Sequence, residues 1–220
     1  MAPDECMKAQ TLRVGGALVG GFVVIFAALF AIQKLSAPAP APADLPMFWP
    51  QPKRIEPFSL TDQHGTEFGL ERVTGRWSLW YFGYTFCPDV CPVTLTVMNG
   101  VHETLAASVD FPGTLQSVFV SIDPARDTSE RLSKYVSFFN PGFVAATASS
   151  DSLSRLTLQL GINFAPQAPD EQGNYVVDHT AAILLTDPQA RLVAWFGSPH
   201  TAAQISAQMI RIAQFVDGAK

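Results

Sequence analysis

The sequence predicts an α/β domain carried behind a single N-terminal membrane-spanning helix. Three observations predict it. An uncharged, proline-free stretch of 19 residues runs from Val14 to Ile32. A proline- and alanine-rich stretch follows it. Beyond that, apolar runs of strand character alternate with segments of helical period, and the chain closes on a hairpin and a last helix. Charged residues make up 15 % of the 220 residues, against about 25 % in ordinary soluble domains. That deficit is concentrated near the N-terminus. A net charge of -5 argues against a nucleic-acid partner. Three cysteines are too few for a disulfide framework.

A bilayer core about 30 Å thick is crossed by roughly 20 apolar residues in a helix, which Val14–Ile32 supplies. A buried core helix would keep a polar face, and this stretch has none. A cleavable signal peptide is the rival reading, but its apolar region is usually about 7–15 residues with a small-residue cleavage site close behind. Here Gln33 and Lys34 follow, then Ser36-Ala37-Pro38, so an uncleaved anchor is favoured. Lys8 and Arg13 precede the span and only Lys34 closely follows it. The positive-inside bias therefore puts residues 1–13 in the cytoplasm and the remainder outside. Asp4 and Glu5 do not suit a mitochondrial transit peptide, and a bacterial inner membrane fits best. Cys6 then lies on the cytoplasmic side. Residues 33–57 read as a linker. Seven of the 17 prolines fall between Ser36 and Pro57, and proline favours an extended, semi-rigid tether.

Residues 58–220 hold 9 basic and 15 acidic residues, so the exported domain is acidic. Phe58-Ser59-Leu60 and Thr66-Glu67-Phe68 flank Asp62-Gln63-His64-Gly65 and read as a hairpin. Trp77–Tyr84 is a nearly continuous apolar strand. Pro92–Ser108 is a helix with Val93, Val97, Val101 and Leu105 at i, i+4 spacing. Leu115–Ile122 is a strand. A helix with Leu132, Tyr135, Val136 and Phe139 on one face starts at Asp127, which forms a capping pattern with Glu130. Phe143–Thr147 is a strand, and Asp151–Leu160 a helix ended by Gly161. Ala181–Thr186 and Leu192–Phe196 form a hairpin around Asp187-Pro188-Gln189-Ala190. Thr201 to Gln204 is a capping box before a helix buried through Ile205, Met209, Ile212 and Val216. This order is a thioredoxin-like layout with an N-terminal β-hairpin extension and an inserted segment.

Cys87 and Cys91 stand four apart, after a buried strand and at a helix start. Pro92 suits the first turn of a helix, so Cys91 falls near the N-cap. Helix N-termini lower thiol pKa values. A structural disulfide or two buried thiols is the bland alternative, but so short a loop stabilises little. Thiol–disulfide enzymes usually space their cysteines by two residues; three leaves room for a metal. Two thiolates favour Cu(I), zinc or iron–sulfur, and a mononuclear site needs a further ligand. His64, His102 and His200 read as solvated surface residues. His179 precedes the strand Ala181–Thr186, where thioredoxin-like folds place a loop beside the cysteine turn. Two sulfurs and that imidazole make a set suited to copper. Asp89 and Asp178 flank these residues and are candidates to hydrogen-bond them.

The segments YFGYTFCPDVCP, SIDPARDT and VDHT occur in order and resemble the SCO/SenC family of membrane-anchored copper proteins. The resemblance spans the exported domain and the anchor. It implies one copper ion per domain, Cu(I) with Cu(II) as the other form, on Cys87, Cys91 and His179. It implies a metallochaperone that helps load the dinuclear copper site of cytochrome c oxidase subunit II. A periplasmic thiol reductase and a copper donor protein would be further partners. Two other readings stay open: a thiol–disulfide oxidoreductase in which Cys87 and Cys91 are the redox-active pair, and a copper or redox sensor. In SIDPARDT, Asp123-Pro124 reads as a turn and Asp127 or Thr128 as a helix cap; its carboxylates are also candidates to shape the site.

Overall fold

The computed structural model describes residues 25–27, 29–30 and 48–218. Of the predicted span Val14–Ile32, the described residues 25–27 and 29–30 are helical; the others, Cys6 and residues 33–47 lie outside the described residues. Among the described residues no helix is long and apolar enough to cross a membrane.

Ten strands, four α-helices and one short 3-10 helix, Leu70–Arg72, occur among residues 48–218. In chain order the strands and α-helices are β1 Phe48–Arg54, β2 Leu60–Asp62, β3 Glu67–Phe68, β4 Trp77–Gly83 and α1 Val90–Ala106. Then come β5 Leu115–Ser121, α2 Ser129–Phe139, β6 Val144–Thr147, α3 Ser150–Leu160 and β7 Phe164–Pro166. The last are β8 Val177–His179, β9 Ala182–Thr186, β10 Arg191–Gly197 and α4 Ala202–Gly218. Eight strands form one sheet in the order β1-β10-β9-β4-β5-β6-β2-β3, while β7 and β8 form a separate pair. β4, β5 and β6 run parallel, and β9 lies antiparallel to β4. This mixed sheet with crossover helices is the expected thioredoxin-like arrangement.

β4 is central, and all seven of its residues are buried. A strand enclosed on both faces reads as a continuous apolar run rather than an alternation, which is why Trp77–Gly83 was legible. α1 approaches α4 so closely that a Cβ on Gly100 would stand 2.9 Å from the Ala202 Cβ. α3 ends at Gly161, whose φ of +73° is the left-handed conformation glycine adopts cheaply.

Three details depart from the sequence reading, and one choice it left open is decided. The end of the predicted linker is a strand: Phe48–Arg54 pairs antiparallel with β10. Proline at alternate positions suits a sheet edge, where one row of amides needs no partner. Helix α1 starts at Val90, so Pro92 is its third residue rather than its first. The first four helical amides have no intrahelical partner, so proline costs no hydrogen bond there. Of the two caps the sequence offers for helix α2, Thr128 is the one used: its side chain accepts from the Arg131 amide, and Asp127 turns inward. No sequence pattern marks the β7–β8 pair, because three-residue strands carry almost no period.

Candidate metal centre

Sheet order brings Cys87, Cys91 and His179 to one place. β4 runs out at Gly83, and the chain turns through Tyr84–Cys87, where the Cys87 amide donates to the Tyr84 carbonyl at 3.2 Å. α1 follows directly. Asp89, its N-cap residue, makes no side-chain cap bond. The Cys87 sulfur takes that place, accepting from the Cys91 amide at 3.4 Å. Cys91 is 0 % exposed and Cys87 8 %. Both are free thiols.

β9 lies beside β4, so the residues just before β9 reach the cysteine turn. His179 ends β8 there, half-buried, with Nε2 3.7 Å from Cys91 Sγ. Its Nδ1 lies 3.3 Å from the Thr180 carbonyl. A proton on Nε2 lets the ring donate to the sulfurs; moved to Nδ1, where the carbonyl accepts it, it would leave the Nε2 lone pair for a metal. The rings of Tyr81 and Tyr84 meet the imidazole edge-on, with centroids 6.0 and 6.1 Å away.

The three donor atoms lie within 4.8 Å of one another. A metal held at roughly 2.0–2.3 Å from sulfur and nitrogen needs its ligands about 3.5–4 Å apart. The site is therefore close to ligand geometry already, and its two sulfurs and one imidazole nitrogen suit a soft ion. Among the described residues it is the one cluster of this kind.

The two thiols are driven apart in acidity. A hydrogen bond from Cys91 is the main influence that pulls Cys87 well below the usual thiol range. Burial opposes it, and His179 and the backbone amides of Cys91 and Asp89 assist. Cys91 is raised, first by that same bond and then by burial. One thiolate at Cys87, hydrogen-bonded by the Cys91 thiol, is the consequence. Tyr81 Oη lies 3.6 Å from Cys91 Sγ and donates to it from a fully buried ring.

His64 is exposed, as expected. His102 and His200 are not the solvated residues that the sequence suggests. Both are half-buried, and burial lowers both pKa values. The His102 ring packs on Phe143 at 5.4 Å. Asp178 accepts from Gln167 Nε2 at 2.9 Å, while Asp89 stays exposed; neither joins the cluster.

The carboxylates of SIDPARDT, read in the sequence as candidates to shape the site, include its main support. Asp127, 1 % exposed, accepts from the Thr85 amide at 2.9 Å, Thr85 Oγ1 at 2.5 Å and Ser121 Oγ at 2.6 Å. It ties the cysteine turn to the β5–α2 loop. Gly83 makes room for sulfur: a Cβ there would stand 2.7 Å from Cys91 Sγ. The SIDPARDT segment was the one available signal, and it did not say which carboxylate turns inward.

A family model described as SCO1/SenC matches residues 50–214. The mitochondrial protein SCO1 homolog of Homo sapiens is 35 % identical over 153 residues, 70 % of this chain and 50 % of that protein. An SCO2-like protein of Rickettsia prowazekii is 30 % identical over 202 residues, 90 % of this chain and 97 % of that protein. The solved structure of Bradyrhizobium japonicum ScoI with copper bound is 31 % identical with a TM-score of 0.64. That match covers 72 % of this chain and 99 % of ScoI.

Proposed function

This chain belongs to the SCO1/SenC family, and from that premise we propose that it is a membrane-tethered copper metallochaperone. The observation that carries the reading is the convergence of Cys87 Sγ, Cys91 Sγ and His179 Nε2 within 4.8 Å. Copper is the cargo and these three residues are its ligands. The copper-bound state of the ScoI relative supports that choice of metal. The Cys87 thiolate is available at neutral pH, and uptake displaces the remaining thiol proton from Cys91. Partial exposure of His179 leaves one side open, so that an acceptor's ligand can share the ion before a sulfur lets go.

The acceptor is cytochrome c oxidase subunit II, loaded at its dinuclear copper site. A copper donor protein fills the site, and a periplasmic thiol reductase keeps Cys87 and Cys91 reduced. The segment Val14–Ile32 anchors the chain in a bacterial inner membrane, with residues 1–13 cytoplasmic and the copper domain periplasmic. The exposed apolar side chains of Ile25, Phe26, Leu29 and Phe30, in helical conformation, support that role. Residues between the anchor and β1 serve as the tether.

Titration of the reduced full-length chain with Cu(I) tests the reading. One copper per chain, lost in His179→Ala, Cys87→Ser and Cys91→Ser, is the expected result. Unchanged binding in His179→Ala would remove the metal role from that residue. The lowered Cys87 pKa favours a second reading, a thiol–disulfide oxidoreductase. There the Cys87 thiolate attacks a partner disulfide and releases one partner thiolate. Cys91 then displaces the second, so the partner gains two electrons and two protons while Cys87 and Cys91 become a disulfide. Accumulation of a mixed disulfide with subunit II in Cys91→Ser would favour that reading.

A further inference from the structure

His179 stands on a strand that the main sheet does not hold. β8 pairs only with β7, in a separate two-stranded sheet. The residues before it, 167–174, are all exposed. Hydrogen bonds of the eight-stranded sheet thus set the cysteine turn but do not by themselves set the far end of β8.

Arg126 spans the gap. Its Nη1 donates to the Tyr175 carbonyl at 2.8 Å, and its guanidinium carbon lies 3.5 Å from the centre of the Tyr175 ring. Nε pairs with Asp123 at 2.5 Å, and the other Asp123 oxygen accepts from Tyr175 Oη at 2.7 Å. The same guanidinium lies 4.7 Å from the Phe86 ring and 5.6 Å from the Tyr84 ring, both in the turn that carries Cys87. Asp123 is 4 % exposed, so this pair is shielded from the screening that makes surface ion pairs weak. A planar guanidinium offers donors in a rigid fork and stacks on aromatic faces, so it fixes direction as well as distance.

We propose that Asp123 and Arg126 are positioning residues for His179. They pin Tyr175, four residues upstream, and so hold Nε2 beside the sulfurs before a metal arrives. This rests on the reading of His179 as a copper ligand. It also divides the roles within SIDPARDT, where Asp127 holds the cysteine turn while Asp123 and Arg126 hold the histidine strand.

The test uses the reduced full-length chain in two variants, Arg126→Lys and Tyr175→Phe, with Arg131→Lys as control. Arg131 also lies over Phe86, at 4.5 Å, and has no bond to the Tyr175 segment among the described residues. In the metal-free chain, amide exchange at residues 177–179 is expected to accelerate about tenfold in Arg126→Lys and severalfold in Tyr175→Phe. Exchange in β4 should not change, and Arg131→Lys should match wild type. In the copper-loaded chain, loss of copper to bicinchoninate should accelerate about as much. Unchanged exchange at 177–179 in both variants overturns the proposal, as does equal acceleration in β4. Faster exchange with unchanged copper loss overturns the positioning role. A wild-type chain that takes up no copper overturns the metal reading instead, and the exchange result still decides whether the clamp exists.

Discussion

Gly83 shows how small a change at one residue reaches the metal site. Its backbone needs no special conformation; what needs glycine is space. An added Cβ would meet Cys91 Sγ at 2.7 Å and the Phe119 ring at 3.1 Å. Both neighbours are fully buried, so neither can swing away. Gly83→Ala should cost about 1–3 kcal/mol of stability, the usual penalty of overpacking. Because the displaced atom is a proposed ligand, copper affinity should fall by about tenfold or more. Urea unfolding and a copper titration on the same variant would check both. Loss of stability with unchanged affinity would mean that Cys91 relaxes without leaving its place.

At the scale of elements, the β2–β3 hairpin depends on one carboxylate. Asp62 Oδ1 accepts from the amides of His64 and Thr66, each at 2.9 Å, and Oδ2 pairs with Arg72 at 2.5 Å. Burial pushes its pKa up, but Arg72 and the two amides outweigh burial and leave it below the usual carboxylate value. A depressed folded-state pKa contributes stability that is present above the unfolded value of about 3.9 and is lost as pH falls through the folded value. Asp62→Asn should therefore cost about 1–3 kcal/mol at pH 7. The difference from wild type should shrink as pH falls below the unfolded value of about 3.9 and through the lower folded value, as urea midpoints at a series of pH values would show. The hairpin itself was readable from Asp62-Gln63-His64-Gly65. That Asp62 is 2 % exposed and answers to Arg72 was not, because the pairing depends on how the short helix Leu70–Arg72 folds back. Likewise Ala190, at φ +55°, closes the β9–β10 turn in a conformation alanine rarely takes, and nothing in its neighbours announces it.

Across the whole molecule, two half-buried histidines make stability depend on mild acid. Burial lowers His102 and His200, so both resist protonation while folded. The unfolded chain binds those protons near pH 6.5, and stability should fall as pH drops from about 6.5 through the lower folded values. His102 Nε2 is buried without a hydrogen-bond partner. His102→Phe should therefore flatten the fall between pH 7 and pH 5 at little cost at pH 7. A variant with the wild-type pH slope would assign the effect elsewhere. The strand–helix alternation, the enclosed strand β4, the helix-start position of the cysteines and the family resemblance are all readable in the amino-acid sequence. Each is a local pattern, set by period, turn chemistry or spacing within a few residues. Tertiary structure alone decided what touches what across long separations. His179 meets Cys91 from 88 residues away and Asp127 meets Thr85 from 42. Arg126 clamps Tyr175, and two histidines that read as solvated lie half-buried. These contacts depend on sheet order and helix packing, in which every strand's place is a compromise among all its neighbours, and no short window of sequence carries that sum.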